Sequence, residues 1–292
     1  MNGTRRAIAL LALAVFAMRV SADGVEPGRT HEQVATGSNE VEVIAEGRGP
    51  LLVLLASAAR SAGDFDEVAP LLAAQGFRVL RPEPRGSGGT TGPHEGITLH
   101  DAARDVAAVI RHENAGPAIV VGHAAGSFVA RMLAVDAPEL VRGVVLAAAG
   151  ARRYPPSVGA TLLELARPDL DDEARLRLLH QAYFAAGSDA HAWLRGWRPL
   201  ISYGSVPGRA PSEADRAVWW GAGDKPVLEI QGLEDPFKPR AAAGEYKAEF
   251  GDRVTIVEIA GASHALFPEQ PQRVVDAIVR WVRGLPPLPR RP

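Results

Sequence analysis

Residues 118–150, AIVVGHAAGSFVARMLAVDAPELVRGVVLAAAG, constrain the fold of this chain more than any other stretch. The apolar run Ala118–Val121 reads as a buried strand that enters a tight turn, Gly122-His123-Ala124-Ala125-Gly126. A helical pattern leaves that turn, with Phe128, Met132 and Leu133 on one face, and Pro138 stops it. A second apolar run, Gly143–Ala148, follows. Strand, turn, helix and strand make a βαβ unit, which requires a parallel sheet. The glycines two residues either side of position 124 permit a sharp turn that lifts one side chain off the strand's end. Such a turn holds its central residue at positive φ, and here that residue carries only a methyl group.

The same rhythm extends on both sides. Val41–Ala45 alternates as an edge strand does, and Leu51–Leu55 is the continuous apolar run of a buried parallel strand. An amphipathic helix carrying Val68, Leu71 and Leu72 leads to a strand over Phe77–Leu80. Thr98, with Asp101 three residues on, caps a helix over Leu99–His112. After Gly150 the rhythm is lost until Pro226. It returns with a strand over Val227–Ile230, a helix over Ala241–Phe250, a strand over Val254–Ile259 and a last helix over Gln272–Arg283. The insert between, residues 151–225, has helical stretches at Ser157–Leu165 and Glu173–Phe184. It also holds four of the five tryptophans (Trp193, Trp197, Trp219, Trp220) and three of the four tyrosines.

Taken in order, four motifs across residues 41–283 resemble those of the α/β-hydrolase family. They are the glycine-flanked elbow at Ala124, the Arg85-Gly86-Ser87-Gly88 loop, Gly232-x-x-Asp235 and Gly261-x-x-His264. The resemblance implies an α/β fold, a mostly parallel sheet flanked by helices, with residues 151–225 as a helical cap inserted over the site. The domain then spans 41–285, after a flexible lead-in at 23–40 and before a flexible tail at 286–292. It further implies that Ala124 stands at the nucleophile position, Asp235 at the acid and His264 at the base. Backbone N–H groups of Ala125 and Ala58 become the oxyanion hole. Two departures are plain: alanine replaces the serine, and Ala56-Ser57 stand where the family usually has His-Gly. Main-chain donors survive the second departure. His123 reads as packing rather than chemistry. Most insert aromatics read as the cap's own core, with Trp193 and Trp197 packed on one helix face. One or two facing the cleft imply a largely apolar ligand.

A hydrolase needs an activated attacking atom, a base and donors for the oxyanion. With Ala124 in place, the attacking atom becomes water and His264 its general base, oriented by Asp235. That arrangement suits a small ester, lactone or similar substrate. Two alternatives use the same scaffold: lyase- or isomerase-type proton transfer by His264, and a non-catalytic ligand-binding protein.

Composition narrows the remaining classes. A formal net charge of −2 and a pI near 6.5 give no reason to expect nucleic acid as a partner. The absence of cysteine excludes disulfides and thiolate chemistry, and no histidine spacing suggests a metal, so neither metal nor cofactor is expected. Arg5-Arg6, the apolar run Ala7–Met18 and small residues Val20-Ser21-Ala22 describe a secretory signal peptide over residues 1–22. Export to the periplasm or medium is expected, with no stable membrane association after cleavage; an N-terminal membrane anchor is the alternative.

Overall fold

The computed structural model describes residues 28–37, 39–198, 200–201 and 213–288. The expected signal peptide lies outside them. Eight strands form one sheet: β1 (Thr30–Ala35), β2 (Glu40–Gly47), β3 (Leu51–Leu55), β4 (Arg78–Pro82), β5 (Ala118–His123), β6 (Val141–Ala147), β7 (Val227–Gly232) and β8 (Val254–Ile259). Their spatial order is β1-β2-β4-β3-β5-β6-β7-β8. Both β1–β2 and β2–β4 are antiparallel pairs, and every pair from β4 to β8 is parallel.

Period-two alternation divides the strands between two cores. In β3, Leu51, Val53 and Leu55 enter one apolar cluster, while Leu52 and Leu54 enter the other. The second face is covered by α1 (Val68–Ala74). The first is covered by α2 (Leu99–Glu113) and α3 (Gly126–Asp136). Beyond β6 come α4 (Pro156–Leu165) and α5 (Asp172–Ala182), then α6 (Glu213–Trp219). The last helices are α7 (Glu245–Phe250), α8 (Leu266–Glu269) and α9 (Pro271–Gly284). Residues of α8 and α9 pack with α1 on the second face. With helices on both faces, the parallel strands are buried throughout, which is why β3 and β5 read as unbroken apolar runs.

Four expectations need correction. Residues 30–35 of the expected flexible lead-in form β1, so β2 is not the edge strand. β1 is polar, with only Val34 buried, and so gave no strand signal of its own. The helix expected over Ala241–Phe250 is a 3₁₀ turn at Arg240–Ala242 followed by α7, interrupted at Gly244. Trp219 and Trp220 do not belong to the cap core. They pack in the first-face cluster, Trp219 against Phe128 of α3 with ring centroids 4.9 Å apart. Trp193 and Trp197 do meet, edge to face at 6.3 Å, but from a short 3₁₀ turn, Ala190–Trp193, and the loop after it.

Candidate active site

Four loops leave the carboxyl ends of β3, β5, β7 and β8 at one edge of the sheet, where α/β folds gather their ligand sites. After β5, Ala124 has φ 47°, the left-handed conformation expected of an elbow. Its N–H donates to the Ala147 carbonyl of β6 (2.9 Å), and its own carbonyl accepts from Ser127 of α3 (3.0 Å). A Cβ on Gly122 would lie 2.5 Å from the Gly126 carbonyl oxygen and the Ser127 backbone. One on Gly126 would lie 2.3 Å from the Leu55 carbonyl oxygen. The turn is thus pinned between its own helix and the end of β3, and Ala124 has no freedom to relax.

The acid and the imidazole are brought together by a similar close approach. A Cβ on Gly232 would sit 2.4 Å from the Ser263 carbonyl oxygen, so only glycine lets the β7 and β8 loops touch. Leu233 and Glu234 then donate to Ile259 and Ala262 across that contact, each at 3.0 Å. His264 Nδ1 lies 3.0 Å from Asp235 Oδ2 and 3.2 Å from Oδ1. Because an ionised carboxylate only accepts, Nδ1 carries the proton and Nε2 presents a lone pair. Asp235 is further fixed by the Phe237 N–H, which donates to Oδ1 at 2.8 Å. Both side chains are buried, with residue exposures of 3% and 5%. The Phe237 ring stacks 4.1 Å from the imidazole, and the Tyr183 ring meets it edge-on at 5.3 Å.

His123 does more than pack. Its Nε2–H donates to the His264 carbonyl at 2.8 Å, tying the elbow strand to the loop that carries the imidazole. Complete burial, with the His264 imidazole beside it as a lesser cause, holds its pKa down to about 3, so it stays neutral. The only sequence signal was a polar ring next to an unbroken apolar run.

Ala58 and Ala125 line one cleft, and among the described residues neither of their amides donates a hydrogen bond. Ala124 and His264 do not line this cleft. Ala59, beside Ala58, is another strained alanine, with φ 57°. The segment inserted after β6 is fastened here. Arg198 N–H donates to the Ala59 carbonyl (2.9 Å), and the Arg60 guanidinium lies 4.7 Å from the Trp193 ring centroid and 4.8 Å from that of Trp197. Arg60 is itself held by Asp64 (Nε–Oδ2 2.9 Å) and donates to the Arg195 carbonyl (2.8 Å). Sequence reasoning missed this anchor, because an arginine in a loop carries no periodic signal. On the other side, Ala265 N–H donates to the Tyr183 carbonyl at 2.8 Å, tying the inserted segment to the His264 loop.

Among the described residues no group of three or more His, Asp or Glu is placed to hold a metal ion. No helix among them is long and apolar enough to cross a membrane.

Comparison with known proteins accords with this fold. The profile of the α/β hydrolase family matches residues 52–277. A pyrethroid hydrolase of Sphingobium wenxiniae is 26% identical over 242 residues, covering 78% of this chain and 85% of that one. The 2-(acetamidomethylene)succinate hydrolase of Mesorhizobium japonicum is 25% identical over 283 residues, 91% of this chain and 99% of that one. A crystal structure of E-2-(acetamidomethylene)succinate hydrolase superimposes with a TM-score of 0.71 at 24% identity, over 88% of this chain and 100% of that one. The matched span covers Ala124, Asp235 and His264, and the chain belongs to the α/β hydrolase family.

Proposed function

We propose that this protein hydrolyses small esters, lactones or similarly activated acyl compounds by direct attack of water, without an acyl-enzyme. The buried Asp235–His264 hydrogen bond carries this reading. An imidazole hydrogen-bonded through Nδ1 to a buried carboxylate at the carboxyl edge of the sheet suits an acid–base role, and the His123 ring ties its loop to the strand that enters the elbow. His264 Nε2 takes a proton as water adds to the substrate carbonyl. The oxyanion forms toward the Ala58 and Ala125 N–H groups, and collapse expels the leaving group, which regains the proton from the imidazolium. The unpaired state of those two amides supports the assignment. The curated relatives named as hydrolases support the reaction class, at the level of the family.

The alternative, ligand binding without turnover, rests on Ala124 itself. One experiment separates them. The purified protein is assayed on activated esters and lactones beside His264→Ala, and treated with a fluorophosphonate. Turnover that disappears in His264→Ala, with no labelling, is the expected result. Labelling at Ser57, Ser127 or Ser263 would replace water with a serine nucleophile. No turnover on any substrate would leave the binding reading in its place. We also propose export, on the basic residues, apolar run and small residues of the N-terminus.

A further inference from the structure

The cleft that holds the Ala58 and Ala125 amides is lined by three arginines, Arg60, Arg85 and Arg198, and their charges are not equally answered. Arg60 is bound by Asp64 through both Nε and Nη2. Arg85 is bound by Asp105 in the same two-pronged way, at 2.7 and 3.0 Å. Those two ion pairs cancel within the wall. Arg198 has no ion pair and no side-chain hydrogen bond among the described residues. The Arg198 charge is felt at the Glu83 carboxyl, but the two make no ion pair. Glu83 Oε2 accepts from Ser87 Oγ (2.8 Å) and from the Ala62 N–H (3.2 Å), and burial pushes its pKa up.

The position of Arg198 is not incidental to the cleft. Its own N–H is bonded to the Ala59 carbonyl, one residue from the Ala58 amide. The stretch that carries it is held down by the Arg60 guanidinium between Trp193 and Trp197. An exposed guanidinium without an ion pair, on backbone bonded one residue from Ala58, therefore lines the same cleft as two unpaired backbone donors. We infer that the ligand of this site is an anion, a short acyl compound whose carbonyl meets the Ala58 and Ala125 amides while a carboxylate on the same molecule pairs with Arg198. This rests on the proposed role of those amides, and it replaces the largely apolar ligand expected from the insert's tryptophans. Two of those, Trp219 and Trp220, pack in the main core.

The test uses ligands that cannot be hydrolysed, so that binding is read apart from turnover. Levulinate and its one- and two-carbon homologues, each a ketone with a terminal carboxylate, are compared by ligand-observed NMR with neutral methyl ketones of the same chain length. At least one keto acid should bind about tenfold more tightly than its neutral partner, as one charge-assisted contact provides. Raising the salt concentration should shrink the difference. Arg198→Gln should remove most of it, whereas Arg195→Gln should not; Arg195 lies on the same stretch but pairs with Asp172 at the surface. Equal binding of keto acids and ketones, no keto-acid binding in the millimolar range, or a preference that survives Arg198→Gln would each overturn the inference. Turnover of neutral esters with no anion preference would sink the inference and leave the hydrolytic reading standing. An anion preference in a protein without His264-dependent turnover would do the reverse.

Discussion

The turn after β5 and the two loops after β7 and β8 differ in what holds them. The elbow is shaped from outside: its form comes from backbone that would collide with any Cβ on Gly122 or Gly126, and Ala124 adds nothing to it. The Asp235–His264 pair also needs a backbone close approach, at Gly232, but it is held in addition by the hydrogen bonds and ring contacts of the two side chains themselves. A scaffold-imposed turn keeps its geometry when its central side chain carries no chemistry. A side-chain pair keeps its geometry only while both partners remain. The elbow therefore says little about present activity, and the pair says more.

The largest expected effect comes from giving the elbow a side chain that uses its shape. Ala124→Ser should become labelled by a fluorophosphonate and raise ester hydrolysis at least a hundredfold, since loss of a serine nucleophile from such a site elsewhere costs on the order of 10⁶ in kcat. A folded, unlabelled and inactive Ala124→Ser protein would show that the elbow's shape is retained without alignment to His264.

Next comes the scaffold that imposes the turn. Gly126→Ala would place a methyl 2.3 Å from the Leu55 carbonyl oxygen and 2.6 Å from that of Ala56, both rigid backbone. It should destabilise the fold by about 3 kcal/mol or more. Gly244→Ala meets nothing within 4 Å and should stay within about 0.5 kcal/mol of wild type. Chemical denaturation of both variants checks the contrast, and equal costs would refute external clamping.

The link between the two regions is His123. Its folded pKa is depressed to about 3, so the stability it permits is fully present above its unfolded pKa of about 6.5 and is lost as pH falls toward 3. Over that window it adds up to ~1.4 kcal/mol per pH unit to the slope of acid destabilisation. His123→Gln keeps an N–H donor for the His264 carbonyl but cannot titrate. Its stability should fall less steeply than wild type between about pH 6.5 and 4. Identical slopes would mean that His123 takes up a proton without unfolding.

The two regions were unequally legible in the sequence. Ala124, Asp235 and His264 follow apolar strands at glycine-marked turns; Gly122, Gly126 and Gly232 are there because a Cβ would strike backbone and Gly261 because its φ is 70°, so spacing located them. The parallel strands announced themselves because both faces are buried. β1 did not, since an edge strand with one buried residue needs no apolar pattern. The Arg60 anchor and the unequal charges of Arg60, Arg85 and Arg198 were beyond reach. They depend on which carboxylates and rings the folded loops bring within a few ångströms. The tryptophans misled because sequence position in the insert does not say which helix turns back onto the main core.

The smallest effect isolates the strain that the scaffold places on the elbow. At φ 47° an alanine Cβ crowds the neighbouring carbonyl, and such a residue stores on the order of 1–3 kcal/mol. Ala124→Gly removes that crowding and loses a methyl that is nearly buried, at 7% exposure. It also frees the unfolded chain, which costs roughly 0.5–1 kcal/mol on folding. The balance favours the variant by roughly 0.5 kcal/mol, because relief of left-handed strain exceeds the entropic loss and the ~0.8 kcal/mol of the buried methyl together. The same exchange at Ala130, fully buried in the regular helix α3, should cost at least ~1 kcal/mol, since glycine there relieves nothing. A gain at 124 with a loss at 130, read from denaturation midpoints at equal slopes, would show that the elbow's conformation belongs to the scaffold. A loss at both would mean that the Ala124 methyl packs well enough to hold the turn itself, and the contrast between the two regions would disappear.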